Sequence, residues 1–336
     1  MTSQNLRCAV LGAGRIGRIH ASNLAGRISG ARLVALADPQ PAPLERLAAE
    51  LGVSRTTLDY RDLLSSADID AVVVCTPTST HYQVLMDAAA SGKQMFTEKP
   101  VDLDLANIDV INADVARRGL NMMVGFQRRY DPDFRRVRDL VHAGAVGEVH
   151  IVRITSRDAF PPSRDFVSTS GGLFLDMTVH DLDIVRFLTG SEVTGVYAKG
   201  AVLVDPMFAE FADFDTAVLT LTLANGTLAT IDNSRRAVYG QDQRVEVFGS
   251  NGMVSAGNHA IDRVSSADAT GAHSSRLVDF FPERYREAYR LEMQAFVDAL
   301  QAGAPMPVTG ADGRQAVILG MAARQSAIEN RFVQIA

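Results

Sequence analysis

The chain has 336 residues, 47% hydrophobic and 21% charged, which is the composition of an ordinary folded protein and a length that suits two domains better than one core. Acidic residues outnumber basic ones by 39 to 33, and the net charge of -6 gives no electrostatic footprint for nucleic acid, so a small polar substrate is the expected partner. No apolar run approaches the roughly 20 residues of a membrane span. Met1 to Arg7 also lack the basic and apolar regions of a secretory leader, and a cytoplasmic location is the expectation.

Leu6 to Leu11 reads as a strand, followed at once by Gly12-Ala13-Gly14-Arg15-Ile16-Gly17 and a helical stretch through Leu24. Strand, glycine turn and helix in that order form the context in which G-x-G-x-x-G binds a dinucleotide. Gly12 permits the tight turn, Gly14 admits the pyrophosphate to the backbone, Gly17 lets the helix pack on its strand, and the helix N-terminus offers N–H groups to phosphate. A second strand, Arg32 to Ala37, ends in Asp38, about twenty residues beyond the last glycine, where a ribose-binding acid is expected. A carboxylate accepts hydrogen bonds from a ribose 2′-hydroxyl and repels a 2′-phosphate. Pro39 to Pro43 supply no arginine to hold that phosphate, so NAD is expected over NADP.

Helical and strand-like stretches go on alternating: a helix over Leu44 to Leu51, a short one over Tyr60 to Ser65, and the wholly apolar strand Ala71 to Cys75. This alternation predicts a doubly wound parallel sheet of the Rossmann type. Cys8 and Cys75 both fall in such strands and read as inert core thiols. Thr76-Pro77-Thr78-Ser79-Thr80-His81 follows at a strand's carboxyl end, where ligands bind in open α/β sheets. A helix from His81 to Ser91 and a strand from Gln94 to Thr97 lead to Glu98-Lys99-Pro100 at the next carboxyl end. Thr76, Pro77, Thr78, His81 and Glu98 are therefore expected around the cofactor, with Lys99 facing the same crevice. A lone loop lysine ordinarily reads as surface, but its position and neighbours here reverse that preference. A helix over Leu105 to Arg118 and a strand over Asn121 to Gly125 complete a first domain, expected over 1–126.

From 127 to 336 the pattern changes to that of a second domain. Phe126-Gln127-Arg128-Arg129-Tyr130-Asp131-Pro132 leads into a helix ending near Ala143. The irregular Thr155 to Gly172 is too long for a simple connection and is expected to line a site. Gly171 to Thr189 reads as a loop running into a helix, on which Asp176, His180 and Asp183 fall at i, i+4 and i+7 on one face. Beside them Leu175, Val179, Leu182, Val185 and Leu188 form an apolar stripe. The pair Asp176 and His180 reads as a general base with its orienting acid, against the plainer alternative of a solvated helix face. Strands are expected over Val149 to Ser156, Val193 to Val204, Thr216 to Leu223, Thr227 to Asn233 and Arg244 to Phe248, with hairpin signals at Asn225-Gly226 and Asn251-Gly252. The second domain is thus α+β with a large, mostly antiparallel open sheet. Helices over Arg284 to Gln301 and Asp312 to Glu329 close the chain, the last free to pack back on the first domain. No metal set is expected: His20, His81, His142, His150, His259 and His273 do not share helical spacing with carboxylates in the way His180 does, and an ion bridging Asp176 and His180 is the lesser alternative.

Taken as a set, the glycine turn, Glu98-Lys99-Pro100 and Gly171-Gly172 followed by Asp176, His180 and Asp183 resemble the Gfo/Idh/MocA oxidoreductase family over essentially the whole chain. The likeness is strongest to its bacterial inositol dehydrogenases. It is carried by Gly125 to Asp131, Thr155 to Asp158, Gly171 to Leu188, Ile231 to Arg235 and Gln243 to Gly249. The resemblance implies NAD-dependent oxidation of a cyclitol hydroxyl, with myo-inositol going to its 2-keto product. It also implies a catalytic set of Lys99, Asp176 and His180, and substrate contacts from Arg128, Asp158 and Asp183 as well as from those three. A cis Lys99-Pro100 peptide and a homotetramer are further family expectations. Some inositol dehydrogenases carry a tyrosine near Gln241 and an asparagine near Asp158, which bears on the preferred stereoisomer. Another cyclitol or sugar is the alternative substrate, and a non-catalytic dinucleotide sensor the alternative of another class. Such a sensor would be expected to lack Lys99 or His180, and both are present.

Overall fold

A computed structural model describes residues 5–335, which fall into two compact units. One takes the chain up to Tyr130 together with Glu287–Val317; the other takes Asp131–Arg286 and the chain from Ile318. The first four residues of the leader reading lie outside the described residues. Where the sequence pattern groups 287–317 with the second domain, the contacts group it with the first. The reason is apolar packing: Met293, Phe296 and Val297 are fully buried, and the Phe296 ring meets Phe96 edge-on at 5.8 Å.

In the first unit the order is β1 (Leu6–Leu11), α1 (Arg15–Leu24), β2 (Ala31–Ala37), α2 (Pro41–Leu51), β3 (Thr56–Thr57), α3 (Arg61–Leu64), β4 (Ala71–Val74), α4 (Thr78–Ala90), β5 (Gln94–Glu98), α5 (Leu105–Arg117) and β6 (Met122–Gly125). The strands make one parallel sheet in the order β3-β2-β1-β4-β5-β6. Every side chain of β4 is fully buried, as an Ala-Val-Val-Val run at the centre of a two-layered parallel sheet requires. The sheet reverses its strand order at β1 and β4, and such a switch point opens a crevice at the carboxyl ends. Gly12 sits there at φ +103°, and a Cβ on it would lie 2.6 Å from the Cys75 carbonyl oxygen. A Cβ on Gly17 would lie 1.8 Å from the Gly12 carbonyl oxygen, so α1 can approach β1 only through a glycine.

The second unit opens with α6 (Pro132–His142), whose Asp131 cap accepts the N–H groups of Asp133 and Phe134. There follow β7 (Val149–Arg157), the short α7 (Arg164–Val167), a π turn over Phe174–Thr178 and α8 (Val179–Thr189), closed by Gly190 in the left-handed region. Next come β8 (Val193–Ala201), α9 (Met207–Glu210), β9 (Thr216–Leu223), β10 (Leu228–Ser234), β11 (Asp242–Gly249), β12 (Gly252–Ala256), β13 (Ser265–Asp268), β14 (Gly271–Ser274) and α10 (Phe281–Arg284). Beyond α11 (Arg286–Ala302) and α12 (Gly310–Glu329), β15 (Val333–Gln334) ends the described chain. The large sheet runs β12-β11-β7-β10-β9-β8-β15, antiparallel except for the pair β7 and β10.

One face of this sheet is core. Ala217, Leu219, Leu221 and Leu223 point into it from β9, and Phe134, Phe174, Leu182, Val185 and Ala323 cover it from the helices. The opposite face of the same strands carries exposed Tyr197, Val218, Leu228, Phe248 and Met253. The irregular stretch before Gly172 contains α7, held by its Ser163 cap. The π turn is where the expected plain helix start differs. Thr178 donates its hydroxyl to Asn233 Oδ1 at 2.6 Å, with the Leu173 carbonyl 3.3 Å away, and Gly320 of α12 packs on the turn's backbone, where a Cβ would come within 3.0 Å of the Phe174 oxygen. Single π turns of this kind recur at functional sites.

Candidate active site

In the first unit the glycine turn joins β1 to α1, and Asp38 follows β2 beside it. Ala13 N–H donates to Asp38 Oδ2 at 2.7 Å and Gln40 N–H donates to Oδ1 at 2.8 Å. Among the described residues, no heavy atom outside the adjoining chain lies within 4 Å of a Cβ built on Gly14, so the turn presents open backbone on the side where a pyrophosphate would approach. Arg15 and Ile16 open α1, and Pro77 caps α4 with Thr78 in its first turn, three residues earlier than the sequence pattern suggests. Thr80 ties this loop together, donating to Thr76 Oγ1 at 2.9 Å and to the Pro77 carbonyl at 2.8 Å.

His81 and Glu98 are turned inward. His81 Nδ1 lies 2.9 Å from the Pro100 carbonyl and Nε2 2.9 Å from the Thr76 carbonyl. Burial outweighs these two contacts and pulls the His81 pKa below the ordinary histidine value, so the ring is a neutral strut between the β4 loop and the cis Lys99–Pro100 peptide. Any help His81 gives a cofactor passes through those backbone groups. Glu98 Oε1 meets His20 Nε2 at 2.8 Å, and with Glu292 of α11 they form a buried group whose ligand atoms lie within 4.8 Å of one another. Three such side chains could hold a metal ion. Burial first, and then the charge of Glu98, raise the Glu292 pKa well above the usual carboxylic range, so a proton balances the cluster's charge. The sequence missed this group because its members stand on α1, β5 and α11. Lys99 is half-buried directly after Glu98, and Arg128 is buried in the tight turn over Gln127–Tyr130 after β6.

In the second unit Asp176 rides on the π turn while His180 and Asp183 follow on α8, both buried. Asp181, between them, is also buried and accepts Asn233 Nδ2 at 2.8 Å. Asp158 follows β7; its N–H donates to the Ser234 carbonyl at 2.9 Å and its Oδ1 accepts Gln241 Nε2 at 3.0 Å. Arg235, just past β10, is the residue that sequence reasoning gave no role. Its Nη1 lies 2.9 Å from Asp176 Oδ2 and 3.6 Å from Asp158 Oδ2. Burial works against this cation, but Asp176, Asp158 and Asp213 outweigh it and hold its pKa above the ordinary arginine value. Its position follows from pairing: in parallel register Ser234 faces Arg157, so the next residues out, Arg235 and Asp158, emerge together. Nothing in the amino-acid pattern states that β7 and β10 are neighbours.

A parallel sheet with a glycine turn and a ribose-side carboxylate, followed in the chain by an α+β unit bearing an acid, a histidine and further carboxylates, defines a dinucleotide-dependent oxidoreductase. Residues 6–126 match the oxidoreductase family with NAD-binding Rossmann fold, and residues 134–255 match the GFO/IDH/MocA C-terminal domain. The chain belongs to the Gfo/Idh/MocA oxidoreductase family, and its first unit is an NAD-binding domain. It is 44% identical to the inositol 2-dehydrogenase of Rhizobium meliloti over 98% of this chain and 99% of that protein. It is 42% identical to the myo-inositol 2-dehydrogenase of Thermotoga maritima over 98% of both. Among solved structures, scyllo-inositol dehydrogenase from Lactobacillus casei with bound NAD(H) and scyllo-inositol superposes with a TM-score of 0.92 at 32% identity, covering 98% of this chain and 99% of that one. Among the described residues, no helix is long and apolar enough to cross a membrane.

Proposed function

We propose that this chain is an NAD-dependent inositol 2-dehydrogenase that oxidises myo-inositol to 2-keto-myo-inositol. The observation that carries the reading is the end-to-end likeness, at 42–44% identity, to two enzymes of that activity, in a chain that keeps an acid and a histidine on the π turn and α8. A secondary alcohol is too weak an acid to ionise unaided, so loss of hydride from carbon must be coupled to loss of the proton from oxygen. His180 takes that proton. Asp176 orients the imidazole and favours its cation, and Lys99 donates a hydrogen bond to the same oxygen as charge develops on it. Arg128, Asp158 and Asp183 bind the remaining ring hydroxyls. The 12–17 turn, Asp38 and the Thr76–Thr78 loop would hold NAD, which would supply the hydride acceptor; as His180 takes the hydroxyl proton, the substrate's carbon–hydrogen and oxygen–hydrogen bonds break and a carbonyl forms.

NAD reduction at mildly alkaline pH over myo-inositol, scyllo-inositol, D-chiro-inositol, glucose and xylose tests the substrate. Turnover strongest with myo-inositol and abolished in Lys99→Ala and His180→Ala supports the reading. Turnover led by another member reassigns the substrate, and NAD binding without any turnover favours a sensor.

A homotetramer, a cytoplasmic location and a role in inositol catabolism belong to the same proposal. The exposed Tyr197, Val218, Leu228, Phe248 and Met253 on one sheet face support assembly, since covering that face with a second copy removes them from water. A monomer in analytical ultracentrifugation at assay concentration overturns it.

A further inference from the structure

The environment of Arg235 goes beyond an ordinary ion pair. Its guanidinium is buried, with Asp176 from the π turn and Asp158 from the end of β7 paired to it, and the charge of Asp213, from the loop before β9, adds to theirs. Each carboxylate has a second anchor or duty. Asp213 accepts the N–H of Leu173 at 3.0 Å, fixing the start of the π turn, and Gln241 holds the other oxygen of Asp158 at 3.0 Å. Two of the three are groups with proposed roles, one behind the base and one at the ring hydroxyls. A single cation therefore touches both the chemical and the recognition side of the reaction.

We propose that Arg235 is a positioning residue for the dehydrogenase reaction, pinning Asp176 behind His180 and Asp158 against the substrate's hydroxyls through one guanidinium. This rests on the proposed roles of Asp176, His180 and Asp158. Both contacts run through one nitrogen, Nη1, whose N–H groups lie at fixed angles in the guanidinium plane, whereas the donors of an ammonium rotate freely on a flexible stem. The cation also offsets the negative potential that Asp158, Asp176, Asp183 and Asp213 create in this unit. Without it those carboxylates favour the imidazolium form of His180, and the base is available only at higher pH.

The test is the pH profile of kcat/KM for myo-inositol at saturating NAD in the wild type, Arg235→Met and Arg235→Lys. Alongside it, the His180 imidazole is titrated by NMR with labelled histidine, assigned by comparison with His180→Gln. Arg235→Met should move the acidic limb and the His180 midpoint up together by about one pH unit, an approximately tenfold loss of rate below the limb. KM should rise severalfold. Arg235→Lys keeps the charge but not the fixed N–H directions, so its limb stays near that of the wild type while KM still rises. An unchanged limb and an unchanged His180 midpoint in Arg235→Met overturn the proposal and leave Arg235 a structural ion pair. If Arg235→Met does not fold, Arg235→Gln removes the charge in a polar side chain and is judged by the same shift. Absence of inositol turnover in the wild type counts against the proposed function alone, because the His180 titration still decides the case of Arg235.

Discussion

The carboxylate of Asp38 is bonded at 2.7 Å to the backbone N–H of Ala13, so the acid that ends the second strand is anchored in the glycine turn that follows the first. This fixes its distance from the turn before any cofactor arrives. Asp38→Ala should raise KM for NAD about tenfold or more while leaving kcat within a few-fold, since hydrogen bonds to a charged group contribute about 1.5–3 kcal/mol. The same variant should narrow the preference for NAD over NADP by removing repulsion of a 2′-phosphate. Initial rates with each cofactor check both outcomes, and an unchanged ratio assigns discrimination to other residues.

His180→Ala should lower kcat by about 10²–10⁴, the range for loss of a positioned general base. In the wild type the oxidative rate should rise with pH as the imidazole loses its proton. That rise should vanish from the residual activity of the variant, and a persisting rise would assign the proton to another group. Lys99→Ala should lower kcat by about 10²–10³, as expected for a lost oxyanion donor, without removing the limb.

Glu292 gives a pH dependence of stability with a definite sign. Both its carboxylate oxygens are buried without a hydrogen-bond partner among the described residues, and burial raises its pKa well above the value in an unfolded chain. Between those two values the folded protein holds a proton that the unfolded chain has released. Stability from this group is therefore complete at acid pH and declines as pH rises toward the folded pKa, by up to about 1.4 kcal/mol per unit. Glu292→Gln imitates the protonated acid and lacks this slope. Thermal unfolding from pH 5 to 9.5 should show the variant gaining on the wild type as pH increases. Parallel curves would show that Glu292 does not carry the proton. A divalent ion bound at His20, Glu98 and Glu292 would instead make the variant lose both metal and stability, which metal analysis of the purified protein would reveal.

Gly320→Ala places a methyl group 2.8 Å from Leu175 Cδ2 and 3.0 Å from the Phe174 oxygen. Overpacking of this kind costs about 1–3 kcal/mol. Because Asp176 lies on the turn being pushed, kcat should fall as well as the melting temperature. Gly14→Ala, where the built Cβ meets nothing within 4 Å among the described residues, serves as its counterpart: the melting temperature should hold while KM for NAD rises.

The parts of this fold visible in the amino-acid pattern are those fixed by local rules. An all-apolar Ala71 to Val74 can only be an inner parallel strand, Gly12 and Gly17 mark a backbone that must pass close to itself, and alternating Ala217, Leu219 and Leu221 give one face of β9 to the core. The hairpins at Asn225-Gly226 and Asn251-Gly252 join β9 to β10 and β11 to β12 as turn chemistry predicts. What stayed hidden depends on which distant elements meet. Arg235 reaches Asp158 because β7 and β10 pair in parallel across an otherwise antiparallel sheet. His20 shares no helical spacing with a carboxylate, yet acids from β5 and α11 close on it. The π turn likewise packs against Gly320, well over a hundred residues away along the chain, where any side chain would meet the Phe174 oxygen.

The return of Glu287–Val317 to the first unit means that no single cut releases the nucleotide-binding half. A fragment stopping at Tyr130 would lack α11, stripping Phe296 from Phe96 and Tyr289 from His20. A chimera that exchanges the cofactor domain with a relative must therefore import two separate lengths of chain through three junctions, and junctions at Tyr130, Arg286 and Val317 follow the division of contacts.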